Sequence, residues 1–180
     1  MSLNHNLLLT AGTAVAVAMV ALIAAGCGSE PSTIRATVKR VVDGDTIVVA
    51  TSTGTERVRY IGIDTPESVK PNVPVQCWAK RASAINHSLV DGQTLTLKFD
   101  REHRDRYGRL LAYPIRPDGL DVGAELVRRG AARTLEFPPN TAHAVQLRAI
   151  EQRARTQRRG LWRDCPEGQS QAGTLLRSTG

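Results

Sequence analysis

Three short runs of apolar and β-branched residues follow one another almost without interruption: "IRATVKRVV" at 34–42, "DTIVVAT" at 45–51 and "ERVRYIGI" at 56–63. Side chains alternate along them with the period of two that marks a half-buried strand. Asp43-Gly44 and "TSTGTE" separate them and read as turns. Three strands in close succession commit the chain to a sheet that must pack or close on itself, since an open edge invites further pairing. Two more strands are legible. "QTLTLKFD" (93–100) alternates strictly through Leu95, Leu97 and Phe99, and "RLLAYPIR" (109–116) contains Pro114. Proline cannot donate to a ladder, so that strand belongs at an edge or a bulge.

Between and after the strands the period changes to helical. Ala79, Ala82, Ile85 and Leu89 predict a helix over 77–90, ended by Asp91-Gly92. A second runs from about 121 to 129 and stops at Gly130. Asn140 reads as the N-cap of a last helix, with Ala144, Leu147, Ile150 and Ala154 on one face and Gly160 as its stop. The fold class expected is α+β, mainly β: a five-stranded OB-fold barrel with three helices, occupying residues 35–165.

Four carboxylates stand at strand ends: Asp43, Asp45, Asp64 and Glu67. Asp-Gly is a common hairpin turn, and each group taken singly has a structural reading as a turn or a cap. Taken together, Asp45 and Asp64 can reach one rim of a barrel, where they repel unless a cation sits between them. A hard divalent ion such as Ca²⁺ takes oxygen ligands of this kind. Glu67 would stand beside it, placed to take a proton from water. Arg59 lies five residues before Asp64, a spacing that puts the two on opposite faces of an ideal strand, so a bulge or the strand's end must re-aim one of them. Arg109 opens a later strand after Tyr107-Gly108. Acids that hold a metal, next to arginines that bind growing negative charge, are what phosphodiester cleavage asks for.

The charge balance agrees. Lys and Arg number 24 against 17 Asp and Glu, a net charge of +7, and 20 of the 24 cations are arginine. Arginine grips phosphate oxygens bidentately, which favours a nucleic-acid partner. No Lys, Arg, Asp or Glu precedes Glu30, and residues 7–26 are apolar up to Cys27. Such a run is long enough for a signal peptide or a membrane anchor, and "AAGC" resembles the lipobox of bacterial lipoproteins, with Cys27 as the acylated residue. Residues 1–27 are therefore expected to export the chain and tether it outside the cell membrane, as a lipoprotein or by an uncleaved helix, unless the protein is released. Residues 28–34 read as a tether and 166–180 as a disordered tail. With Cys27 lipidated, Cys77 and Cys165 are left as an even pair in an oxidising space and are expected to form a disulfide.

Across about 36–163 the sequence resembles the staphylococcal nuclease (thermonuclease) family. The resemblance rests on "VVDGDTI" (41–47), "RYIGIDTPES" (59–68), "DRYGRLLAY" (105–113), "ELVRRGAA" (125–132) and "GLW" (160–162), in that order. It implies a monomeric OB-fold phosphodiesterase that cuts DNA and RNA with Ca²⁺ and leaves 3′-phosphates. By the same resemblance Asp45 and Asp64 are the metal carboxylates, and Thr65 lends a backbone carbonyl. Glu67 matches the glutamate described as general base, Arg59 and Arg109 bind the scissile phosphate, and Tyr107 meets a terminal phosphate.

The match has departures. Leu135 stands where the family's type member carries a base-stacking tyrosine, with Phe137 two residues on. An aliphatic side chain cannot supply a π-stack worth roughly 1–3 kcal/mol per base. The segment after Glu67 carries extra prolines and Cys77, which should stiffen it. His87, His103 and His143 read as structural, Trp78 and Trp162 as packing residues, and the arginines at 148, 153, 155, 158 and 159 as a solvated helix face. Two other functions fit the same barrel: a nucleic-acid-binding module without turnover, or a structural envelope lipoprotein. The intact set of acids and arginines weighs against the first.

Overall fold

A closed barrel is the only sheet arrangement that leaves five short strands without a free edge, and the computed structural model, which describes residues 33–67 and 75–165, has that form. Its strands are β1 (Thr33–Val41), β2 (Thr46–Thr51), β3 (Gly54–Tyr60), β5 (Thr94–Lys98) and β6 (Leu110–Ile115), closed in the order β1-β2-β3-β6-β5. All pairings are antiparallel except β3 with β6. A two-stranded ribbon of β4 (Ile63–Asp64) and β7 (Arg133–Thr134) stands beside the barrel. The helices are α1 (Ala79–Val90), α2 (Val122–Arg128), α3 (Ala144–Thr156) and the single turn α4 (Leu161–Asp164), one more than the three expected.

Alternation in the sequence becomes burial in the barrel. Ile47, Val49, Val58, Leu95, Leu97 and Ala112 point inward and are fully buried, and α1 and α2 cover the barrel with Ala82, Leu89, Leu126 and Val127. Pro114 pairs opposite Leu97 of β5 but lies past the end of the β3–β6 ladder, whose last pair is Tyr60 with Ala112. Its missing N–H therefore costs no bond to β3, and the expected edge exists locally within a closed barrel.

Four expectations need correction. The strand expected over 56–63 is broken: β3 ends at Tyr60, Ile61-Gly62 form a turn, and Ile63-Asp64 leave the barrel to pair with β7. Gly62 has φ +79, and a Cβ there would lie 2.6 Å from Leu147 Cδ1, so both conformation and space call for glycine. Asn140 does not cap the last helix. Its amide accepts from Glu102 N–H and donates to Glu102 C=O, and α3 starts after His143, whose side chain forms no cap bond. The helix expected from residue 77 starts at Ala79, because Trp78 holds φ 71. Finally, β1 begins at Thr33, so Thr33 and Ile34 of the expected tether pair with Lys98 and Leu97.

Cys77 and Cys165 form a disulfide across 88 residues, worth about 4–5 kcal/mol by the chain-entropy estimate. The leader through Cys27, tether residues 28–32, the segment 68–74 and the tail from 166 lie outside the described residues. Gly62→Ala should lower the unfolding free energy by about 1–3 kcal/mol, measured by urea denaturation, with no new populated intermediate.

Candidate active site

The turn before β2 is the foundation of the site. Val42 and Asp43 N–H both donate to Thr46 C=O, and Asp43 Oδ1 accepts from Asp45 N–H at 3.1 Å. Gly44 lies directly on Thr65, since a Cβ there would sit 2.6 Å from Thr65 Oγ1. That close approach lets Asp45 Oδ2 accept from both Thr65 N–H (2.8 Å) and Thr65 Oγ1 (2.9 Å). The two acidic segments of the sequence are thus joined through one buried carboxylate. Beneath them lies Asn86, a fully buried residue of α1. Its Nδ2 donates to Asp43 C=O and its Oδ1 accepts from Tyr60 Oη, each at 3.0 Å.

Arg59 completes the junction. The Ile61-Gly62 turn brings Asp64 back beside it, which answers the wrong-face spacing of a straight strand. Nη1 pairs with Asp45 Oδ2 at 2.8 Å and bonds Ile63 C=O at 3.0 Å, while Nη2 pairs with Asp64 Oδ1 at 2.9 Å. One guanidinium therefore serves both carboxylates. Its single charge does not balance them with Asp43 and Glu67 nearby. Burial, helped by the Asp45 charge, pushes the Asp43 carboxyl up to about 6. Burial also raises Asp64, joined by the Asp45 and Glu67 charges and opposed by Arg59 and Arg133.

The parallel β3–β6 register pairs Arg59 with Leu111, so Arg109, two residues before Leu111, falls on the same face as Arg59. Asp105 orients it: Oδ2 accepts from Arg109 Nε and pairs with Nη2, both at 2.7 Å. Partial burial opposes ionisation of Asp105, yet hydrogen bonds from Arg109 and from Tyr107 N–H hold its carboxyl below the usual range. Arg59 and Arg109 both line a cavity of about 630 Å³, whose walls include Tyr107, Leu135 and Phe137. Tyr107 is 69% exposed and lies under the Arg106 guanidinium, 4.8 Å from the ring centre. The position of Leu135 carries no aromatic ring, as expected, but Phe137 supplies one on the same wall.

Glu67 lies close enough for its charge to act on Asp64 but does not line the cavity. Its N–H donates to Gln76 Oε1 at 2.8 Å, and its C=O accepts from Gln76 N–H at 3.0 Å. His87, His103 and His143 do not line the cavity. His143 stacks on Tyr113, His103 stacks on Phe99, and His87 stands beside Asp91. Trp162 packs between Arg133 and Arg155, and on α3 Arg148 pairs with Glu136 and Arg155 with Glu151.

Asn86, Asp105 and Gln76 escaped the reading of the sequence. A polar residue on the otherwise apolar face of α1 marks Asn86, and the i,i+4 spacing to Arg109 marks Asp105. No local signal marks Gln76.

The donors fit a hard cation. Asp45 and Asp64 supply oxygen only, and Asp64 Oδ2 has no hydrogen-bond partner among the described residues, on a side chain 37% exposed. Among those residues no three His, Cys, Asp or Glu groups are clustered to hold a metal on their own, so a bound ion would complete its shell with backbone oxygen and water, as hard cations do.

Residues 57–164 match the family described as Staphylococcal nuclease homologue. Over 125 residues the chain is 41% identical to a thermonuclease of Staphylococcus intermedius, aligning 69% of this chain and 74% of that protein. It is 43% identical over 128 residues to the SPbeta prophage-derived endonuclease YokF of Bacillus subtilis, covering 70% of this chain and 43% of that one. With the endonuclease YncB of the same organism it shares 41% identity over 131 residues, 72% of this chain and 62% of that one. It thus spans less than two thirds of each Bacillus protein.

The raised Asp43 carboxyl has a signed consequence. A carboxyl that takes up its proton more readily when folded makes the protein lose stability as pH rises from about 4 through 6. Asp43→Asn keeps the acceptor for Asp45 N–H and removes the charge. In metal-free buffer at pH 8 it should raise the unfolding free energy by on the order of 1–2 kcal/mol, after discounting for solvent screening, and the gain should vanish near pH 4.

Proposed function

We propose that this chain, which belongs to the staphylococcal nuclease family and is a phosphodiesterase of nuclease type, hydrolyses DNA and RNA with Ca²⁺, breaking the bond to the 5′-oxygen and leaving 3′-phosphates. The observation that carries this reading is the meeting of Asp45, Asp64 and Arg59 at one point on the rim of a cavity that Arg59 shares with Arg109. A phosphodiester carries one negative charge and gains more as water attacks, so fixed guanidinium groups on the same face stabilise the transition state more than the bound substrate.

In this reading Asp45, Asp64 and the Thr65 carbonyl would hold Ca²⁺, which would supply positive charge to offset that of the phosphate. Glu67 takes a proton from the attacking water. Arg59 and Arg109 receive the phosphate oxygens, and the 5′-oxygen departs in line and is protonated by solvent. Asp105 keeps Arg109 aimed at the cavity through Nε and Nη2, leaving Nη1 for the substrate. Tyr107 offers its hydroxyl to a terminal phosphate. Phe137 offers a stacking face in place of the missing tyrosine at Leu135, which favours a base held differently from that in the family's type member.

Export and tethering outside the membrane belong to the same proposal. They are supported by the apolar run at 7–26, by Cys27 behind small residues, and by a disulfide that suits an oxidising compartment. A single copy carries the whole site, in keeping with a monomer.

Purified protein incubated with single-stranded DNA should shorten it in Ca²⁺ and leave it intact in EGTA. Binding without cutting would point to a nucleic-acid-binding module, and neither outcome would leave a structural envelope role. Glu67→Gln and Arg109→Ala should each lower kcat by about 100-fold or more with little change in the unfolding midpoint; a fully active variant would remove that residue from its role. Mass spectrometry of the mature N-terminus should find Cys27 acylated.

A further inference from the structure

Glu67 stands three residues past Asp64, and the residue that bonds its backbone lies nine residues further on. Gln76 grips the residue twice, with its side-chain oxygen on Glu67 N–H and its own N–H on Glu67 C=O. Gln76 is in turn mounted on the far end of the chain. Its neighbour Cys77 is covalently joined to Cys165. Just beyond, Trp78 Nε1 and Arg81 Nη1 both donate to Asp164 Oδ2 at 2.9 Å. Ala79 N–H closes back on Gln76 C=O at 3.1 Å. Asp164 at the end of α4 and Cys165 just after it therefore hold the segment 76–81 by one twice-bonded carboxylate and one disulfide.

We infer that Gln76 is a positioning residue for Glu67, and that the Cys77–Cys165 bridge with Asp164 is the mount that keeps Gln76 in place. The inference rests on the reading of Glu67 as the base. A general base works only within hydrogen-bond reach of the proton it takes, and a displacement of about 1 Å can cost on the order of 100-fold in rate. A carboxylate on a chain segment next to the barrel has its aim set by the backbone that carries it, and here two hydrogen bonds fix that backbone. Because Gln76 meets the site through the Glu67 backbone and does not line the cavity, its loss should leave substrate binding as it was and slow the chemical step.

The test measures kcat and KM of the full chain in saturating Ca²⁺, with the folded fraction checked by circular dichroism at the assay temperature. Gln76→Met removes the acceptor and should lower kcat about 10-fold or more, with KM within about twofold. Gln76→Glu keeps an acceptor oxygen and should recover most of that loss. The double replacement Cys77→Ser with Cys165→Ser should lower kcat in the same way while the protein remains folded. Repeated in a Glu67→Gln background, none of these changes should reduce the residual rate further, because groups acting through one residue do not add. Undiminished kcat in Gln76→Met and in the serine pair would overturn the inference, as would an equal loss with and without Glu67. Wild-type activity in Glu67→Gln alone would instead refute the base reading, and the inference would go with it.

Discussion

One guanidinium between two carboxylates sets the terms for the rest of this structure. Arg59 gives one nitrogen to Asp45 and the other to Asp64, and each of those acids arrives from a different strand end. Charges brought out of water are costly unless paired and hydrogen-bonded, so the elements around them are arranged to supply partners. Thr65 doubles its bonds to Asp45, Gly44 allows the contact, and the Gly62 turn returns Asp64 to the arginine. Even so, burial raises the carboxyls of Asp43 and Asp64, and the neighbouring acids add to it against the pull of Arg59 and, for Asp64, Arg133. A site in this state is electrostatically incomplete, which is the condition under which a hard cation gains most by entering. In the proposed mechanism Arg59 is both keystone and ligand for substrate, and its removal would confuse the two effects. Arg109, held by a separate carboxylate, is the cleaner probe.

The barrel was legible in the sequence because its signal is local. A strand half buried in a closed sheet must alternate, and Leu95, Leu97 and Phe99 do so without exception, each of them buried. The break at Gly62 was harder to see, since "RYIGID" stays apolar through the turn; an isolated glycine inside a strand pattern was its one mark. Asn140 shows the opposite failure. Its type and place before a helix fit a cap, but its amide is used by Glu102, 38 residues away in sequence, and no local pattern encodes such a partner. Within the site, Asp45, Asp64 and Arg59 were readable as charges at strand ends, and the order of the motifs implied roles for them by resemblance. What held them in place was not readable. Asn86 and Gln76 act through bonds that exist only once the helix and the loop have docked.

These supporting residues share one property: each bonds backbone groups of the acidic turns. Asn86 takes the Asp43 carbonyl and Gln76 takes both polar groups of Glu67. Tight turns that present carboxylates outward leave their own carbonyls and amides pointing inward, and buried groups of that kind are costly without partners. Amides are suited to the task because they both donate and accept. An aspartate at position 86 would fail on that count, having no proton to give the Asp43 carbonyl and adding one more negative charge beneath three others.

The bridge between Cys77 and Cys165 encloses every element from α1 to α4 in one covalent ring, while β1, β2, β3 and β4 lie outside it on the N-terminal side. A protease that clipped an exposed turn inside the ring, such as Thr141-Ala142, would therefore leave two pieces that stay linked and share one barrel. Wherever no thiol pool reduces the bridge, a nicked molecule of this design would remain covalently linked.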